Sequence, residues 1–211
     1  MKSSFHPVFL LLSLGVKNTK KQIMTEKEKC EKGLLYDANY DPELINERIF
    51  IKDLCLEYNQ IKNSDIPKRT AFLKKIIKNI KGNICIEPSF WCDYGYNIEC
   101  GENFYANHNL VILDCAKVKF GDNVFIGPSC SFYTAGHPLD VEQRNKGLEY
   151  ARPITVGDNV WFGGNVVVLP GVSIGNNSVI GAGSVVTKDI PDNVVAVGNP
   201  CKVVKDIDQE N

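Results

Sequence analysis

The sequence predicts an all-β main domain, a three-sided parallel coil of hexapeptide repeats with a small N-terminal α-helical segment and one projecting loop. Three observations predict it. First, apolar residues recur every six positions at Val156, Phe162, Val168, Ile174, Ile180 and Val186. Second, a column four residues further on holds Val160, Val166, Val172, Ser178, Ser184 and Ile190, with turn formers such as "GDN", "GGN" and "GNN" between. Third, "TAGHPLDVEQRNKGLEYARPI", Thr134 to Ile154, breaks that rhythm with a histidine, a proline and a burst of charge.

A period of six does not suit an α-helix, whose faces repeat at 3.6. It suits short strands joined by tight turns, three hexapeptides making one triangular coil of about 18 residues. Each coil buries its interior only against its neighbours, so many coils are needed. The rhythm continues backward through Ile126, Phe120, Ile112, Ala106 and Cys100, with two-residue slips expected near Ala116 and Pro88.

In chain order, residues 1–23 come first. "MKSSFHPVFLLLSLGV" is a short apolar run behind one lysine, too short to span a bilayer as a helix. It reads either as a leader or as an upstream extension of a natural start at Met24, and it is expected to lack fixed structure. Residues 24–82 read as helices. Thr25 and Glu28 form a capping box. Asp41 caps a helix with Pro42 at its first position, and Ile51, Leu54, Cys55 and Tyr58 make its apolar stripe. "DIPKRTAFLKKIIKNIKG" repeats the device, with Phe72, Leu73, Ile76, Ile77 and Ile80 as the stripe and Gly82 as the stop. Helices this short cannot bury their faces alone and are expected to dock on the coil of residues 83–205, which carries the loop at 134–153. Residues 206–211 are expected to form a C-terminal tail.

Composition excludes several classes of function. The 211 residues carry 24 basic and 25 acidic side chains, net charge −1, so no nucleic-acid or anionic-membrane partner is expected. The 8 cysteines form no Cys-x-x-Cys pair and there are only 3 histidines, so no metal site is expected. Scattered single cysteines fit a reducing, cytoplasmic location.

The ordered stretches "YDAN", "WCDYGYNIECGENFYAN", "TAGHPLDVEQRNKGLEY", "VWFGGNVVVLPGVSIG" and "VIGAGSVVTKDIPDNVVAVGNPCKV" resemble the maltose and galactoside O-acetyltransferases, hexapeptide-repeat acyltransferases. The similarity covers Met24 to Val204 and is nearest the maltose enzymes. It implies a left-handed parallel β-helix, acetyl-CoA as co-substrate, a sugar acceptor, and a homotrimer with active sites between subunits. The Thr-Ala-x-His-Pro context implies that His137 is the catalytic base. A histidine on a rigidly held loop is chemically suited to that task, because it titrates near neutrality and can take the proton from a sugar hydroxyl.

The same resemblance implies acceptor contacts at Asp37, Asp93, Tyr105 and Asn107. Aspartate at position 93, where galactoside enzymes carry serine, points to a glucose-type acceptor. A further acidic family position is Cys115 here, with Asp114 just before it as the remaining acidic candidate. For acetyl-CoA the implied set is Trp161, Gly164, Ala182, Thr187, Lys188, Lys202 and Lys205. Small residues let a pantetheine arm approach the backbone, and lysines meet phosphates. Other acceptors (a galactoside, serine, an antibiotic) and a non-catalytic β-helix binding protein remain as alternatives. A γ-class carbonic anhydrase needs three metal-binding histidines per site, and only His108 and His137 lie in the coil.

Overall fold

The computed structural model describes residues 24–207; the leader or extension at 1–23 and the last four residues of the expected tail lie outside the described residues. Three helices come first: α1 (Glu26–Glu31), α2 (Pro42–Asn59) and α3 (Ile66–Ile76). The caps are those the sequence predicts. Thr25 and Glu28 complete the capping box, and Asp41 Oδ1 accepts from Leu44 N at 3.0 Å. Asp65 Oδ1 accepts from Lys68 N at 3.2 Å.

Behind the helices, the chain winds into a three-faced coil whose strands pair in parallel with the strands one turn earlier and later. The first face stacks 79–80, 98–100, 118–120, 154–156 and 173–174. The second stacks 84–86, 104–106, 125–126, 161–162, 179–180 and 194–197, closed by the antiparallel strand Lys202–Asp206. The third stacks 90–92, 110–113, 131–133, 167–168 and 185–186. We number the edges by the faces they follow, so the third edge joins the third face to the first.

Both predicted columns point inward. Val156, Phe162, Val168, Ile174, Ile180 and Val186 are all at most 2% exposed, as are Val160, Val166 and Val172. Inside, Phe104, Phe120, Phe132 and Phe162 stack with successive centroid separations of 5.0, 5.0 and 5.3 Å. On the first edge Asn103, Asn123, Asn159, Asn177 and Asn193 share left-handed φ values of 54° to 57°. The Nδ2 of each donates to the Oδ1 of the next at 2.9–3.0 Å, so the ladder is one amide per coil. Asparagine tolerates that backbone better than other side chains and fills the corner with its own bonds.

Two expectations change. The third helix stops at Ile76 instead of running to Gly82. Ile77 is already extended, and Asn79–Ile80 pairs with Glu99–Cys100 as the first strand of the coil. Ile80 therefore belongs to the six-residue column, whose apolar spacing happens to prolong the helical stripe. The first slip lies in the turn 93–97, between Cys92 and Cys100, and not near Pro88; the slip near Ala116 is as expected.

The helices close the open end of the coil. Asn59 pairs with the backbone of Phe90 in both directions, 3.1 Å as donor and 2.8 Å as acceptor. Tyr58 and Arg69 donate to the carbonyl of Ile86. Ile51, Cys55, Tyr58, Leu73, Ile76 and Ile77 extend the coil's core, each fully buried aliphatic contributing about 1.5–3 kcal/mol. Gly95, at φ +70°, lets the carbonyl of Ile76 approach to where a Cβ would meet it at 2.1 Å. A satellite core of Cys30, Tyr36, Ala38, Leu44, Tyr94, Cys115 and Ala151 fastens α1 and the following chain to the third edge.

Candidate active site

The interruption at 134–153 leaves from the third edge as a hairpin. Ala135–Gly136 pairs antiparallel with Leu148–Ala151, and a single-turn helix, α4 (Val141–Asn145), occupies the tip. Tyr36–Asp37 adds a third strand, with Tyr36 opposite Glu149 and Asp37 opposite Leu148. The loop expected from the sequence is thus an arm braced on two sides.

His137 follows the first arm strand. Its Nδ1 lies 2.9 Å from the carbonyl oxygen of Leu148. A carbonyl only accepts, so Nδ1 carries the hydrogen and Nε2 of the neutral ring keeps its lone pair. Nε2 is 3.8 Å from Glu149 Oε1, and the imidazole is 47% exposed. Glu149 is itself tied down, its Oε2 accepting from Tyr36 OH at 3.2 Å. Burial pushes the Tyr36 phenol far above its ordinary range, so it stays a donor. No local sequence pattern points to Glu149 or Tyr36, because their meeting depends on pairing between segments 113 residues apart.

Asp37 and Asp93 lie on the same side of the coil. Asp37 Oδ1 accepts from the backbone of Asn39 and Tyr40 at 3.1 and 2.9 Å. Asp93 is met by Lys52 Nζ at 3.4 Å and by Cys115 Sγ at 3.7 Å. Burial raises the Cys115 thiol, which fits a neutral donor beside that carboxylate. A cavity of about 370 Å³ borders this group, between α1 and the third edge, with Cys30, Tyr94, Tyr96 and Cys115 in its wall.

Asp114 departs from the acceptor role that the resemblance implied. It has no exposed surface, and its Oδ1 accepts from the backbone N–H of Asp93 at 2.9 Å and of Tyr94 at 2.8 Å. Tyr105 and Asn107 are not brought together with His137 in one chain. Tyr105 points outward from the second face, and Asn107 begins the second edge, its Oδ1 accepting from His108 N. The third face, roughly five residues or about 16 Å of extended chain, lies between that edge and the arm.

The residues expected to hold acetyl-CoA fall mostly on the same far side. Trp161 stacks in register beyond Phe125 on the outer second face, and the two are 56% and 47% exposed. Gly164 and Ala182 follow it on the second edge. A Cβ on the neighbouring Gly163 would come within 2.6 Å of Ala182 N, while one on Gly183 would meet nothing within 4 Å. Gly163 is therefore needed for its coil to stack against the next, while Gly183 leaves open space beside it. Thr187 and Lys188 lie on the third edge, two coils beyond the arm, and Lys202 and Lys205 on the closing strand; all four are exposed. None of the three lysines forms an ion pair among the described residues, so their charge is available to phosphates. No cluster of three metal-ligating side chains occurs among the described residues, and no helix there is long and apolar enough to cross a membrane.

The profile of the maltose acetyltransferase hexapeptide capping motif matches residues 29–82, and that of the hexapeptide repeat of succinyl-transferase matches 153–188. A crystal structure of a maltose O-acetyltransferase from Clostridium difficile 630 superposes with a TM-score of 0.85 at 50% identity, covering 88% of this chain and 99% of that one. The chain belongs to the maltose and galactoside O-acetyltransferase family. The galactoside O-acetyltransferase of Escherichia coli (strain K12) is 47% identical over 168 residues, 80% of this chain and 83% of that protein. A galactoside acetyltransferase structure in complex with coenzyme A gives a TM-score of 0.85 at 45% identity, covering 88% and 92%. The fold is the left-handed β-helix of these hexapeptide-repeat acetyltransferases.

Proposed function

We propose that this acetyltransferase moves an acetyl group from acetyl-CoA to a hydroxyl, the primary 6-hydroxyl, of a glucose-type sugar such as maltose, with His137 as general base. The observation that carries the reading is the fixed imidazole: the Leu148 carbonyl holds Nδ1–H, and unprotonated Nε2 stands free beside a carboxylate. Nε2 takes the proton of the sugar hydroxyl, and the oxygen attacks the thioester carbonyl. The imidazolium so formed gains from Glu149, and backbone N–H groups stabilise the oxyanion. The tetrahedral species collapses, the C–S bond breaks, and the thiolate of CoA leaves with the proton that His137 returns. Asp37 and Asp93 bond the acceptor's hydroxyls, and α1 with the chain that follows it caps that side. Aspartate at 93 supports a glucose-type acceptor.

Acetyl-CoA lies against Trp161, Gly164, Ala182, Thr187 and Lys188, with Lys202 and Lys205 toward its phosphates. Tyr105 and Asn107 complete the acceptor site from a neighbouring chain. Supporting this are the separation of the arm from the second edge and the exposed apolar groups on the arm and on the second face. Leu139 at the arm tip is 93% exposed, facing outward like Phe125 and Trp161. The chain works as a homotrimer, in the cytoplasm.

The test is CoA release from acetyl-CoA across a panel of glucose, maltose, galactosides, serine and aminosugars. Turnover is expected to be highest with glucose or maltose, and preference for a galactoside, serine or an aminosugar would overturn the acceptor. His137→Ala should cut turnover about 10²–10⁴-fold. Activity within threefold of the wild type would remove His137 as the base.

A further inference from the structure

We propose that Asp114 is a positioning residue of the acceptor site, acting through the turn 93–97 that it holds at both ends. The inference rests on the proposed function, which places Asp37 and Asp93 against the acceptor. At the start of the turn, Oδ1 of Asp114 accepts from the N–H groups of Asp93 and Tyr94. At its end, Asn97 Nδ2 donates to the backbone carbonyl of Asp114 at 2.7 Å. This turn is the eight-residue step between Cys92 and Cys100, where the regular hexapeptide would leave no room for it.

Both acceptor aspartates depend on the turn. Asp93 is its first residue. Tyr94 OH accepts from Arg48 Nη1 at 2.6 Å, and Arg48 Nη2 donates to the carbonyl of Ala38, the neighbour of Asp37. One buried carboxylate oxygen thus fixes Asp93 directly, and steadies Asp37 through Tyr94 and Arg48. The second oxygen, Oδ2, is buried and has no hydrogen-bond partner among the described residues. Asparagine would keep the Oδ1 acceptor and alanine would lose it, which separates the bond from the bulk.

The experiment measures KM for maltose and for acetyl-CoA in the wild type and in Asp114→Ala, Asp114→Asn and Asn97→Ala. In Asp114→Ala the acceptor KM should rise tenfold or more with the acetyl-CoA KM within twofold. Asp114→Asn should restore the acceptor KM to within threefold of the wild type. Asn97→Ala, which loosens the other end from a partly exposed position, should raise the acceptor KM severalfold and decides the matter if Asp114→Ala does not fold. Equal rises in both KM values, no rise in either alanine variant, or an asparagine variant as impaired as alanine, each overturn the proposal. A wild type that acetylates no sugar overturns the function reading instead, and is told apart because it precedes any variant.

Discussion

The carbonyl of Leu148 selects the tautomer of a neutral His137, leaving Nε2 its lone pair, and Glu149 Oε1 stands 3.8 Å from that nitrogen. At 3.8 Å, a carboxylate and an imidazolium attract by about 1 kcal/mol even at the dielectric of water, and more where substrate excludes it. Glu149→Gln should therefore lower turnover about fivefold or more while leaving the acetyl-CoA KM within twofold; unchanged turnover would detach Glu149 from the mechanism. Asp114 carries a different prediction. Burial, opposed by its backbone bonds and helped by Asp93, raises its carboxyl from 3.8 to about 6. The folded state thus prefers the protonated form more than the unfolded state does. That preference stabilises the fold fully below pH ~4 and is lost as pH climbs toward ~6, a difference on the order of a few kcal/mol. Asp114→Asn cannot titrate, so its stability relative to the wild type should rise between pH 4 and 6 in denaturant melts. A relative stability independent of pH would contradict the assignment.

At the scale of elements, the coil's edges and its aromatic stack set its stability. Asn159 combines a left-handed φ of 56° with two ladder bonds. Asn159→Gly keeps the backbone and loses the bonds, roughly 0.5–1.5 kcal/mol each, whereas Asn159→Ala adds about 1–2 kcal/mol for the backbone. Chemical denaturation should rank wild type, glycine, alanine in falling order; alanine above glycine would mean that the corner does not need that φ. Phe132→Ala, which opens the middle of the ring stack, should cost about 3–5 kcal/mol. These elements were legible in the sequence because a six-residue column and an Asn or Gly at a fixed offset are local patterns. The boundary at Ile76 was not, since Ile77 and Ile80 satisfy helical spacing and coil spacing alike. Neither were Glu149, Tyr36 and the burial of Asp114, which depend on contacts between distant segments that no local pattern reports. His137 draws notice in the sequence because the rhythm stops there, and its proposed role rests on the Thr-Ala-x-His-Pro resemblance.

At the scale of the molecule, the third edge carries the arm with His137 and the second edge carries the small-residue strip, with the third face between them. A single chain keeps its own arm away from its own strip, and a symmetric ring of chains can set each arm against the strip next door. Light scattering should give three times the 23.5 kDa chain mass, and an active monomer would contradict the shared site. The most direct measurement mixes two inactive proteins, His137→Ala and Ala182→Trp, the second blocking the strip. After the chains are dissociated and reassembled together at equal amounts, a junction combining an intact arm with an intact strip forms at about one site in four. Recovery of about a quarter of wild-type turnover is the predicted result. Activity no greater than that of the two parents alone would contradict a site shared between chains.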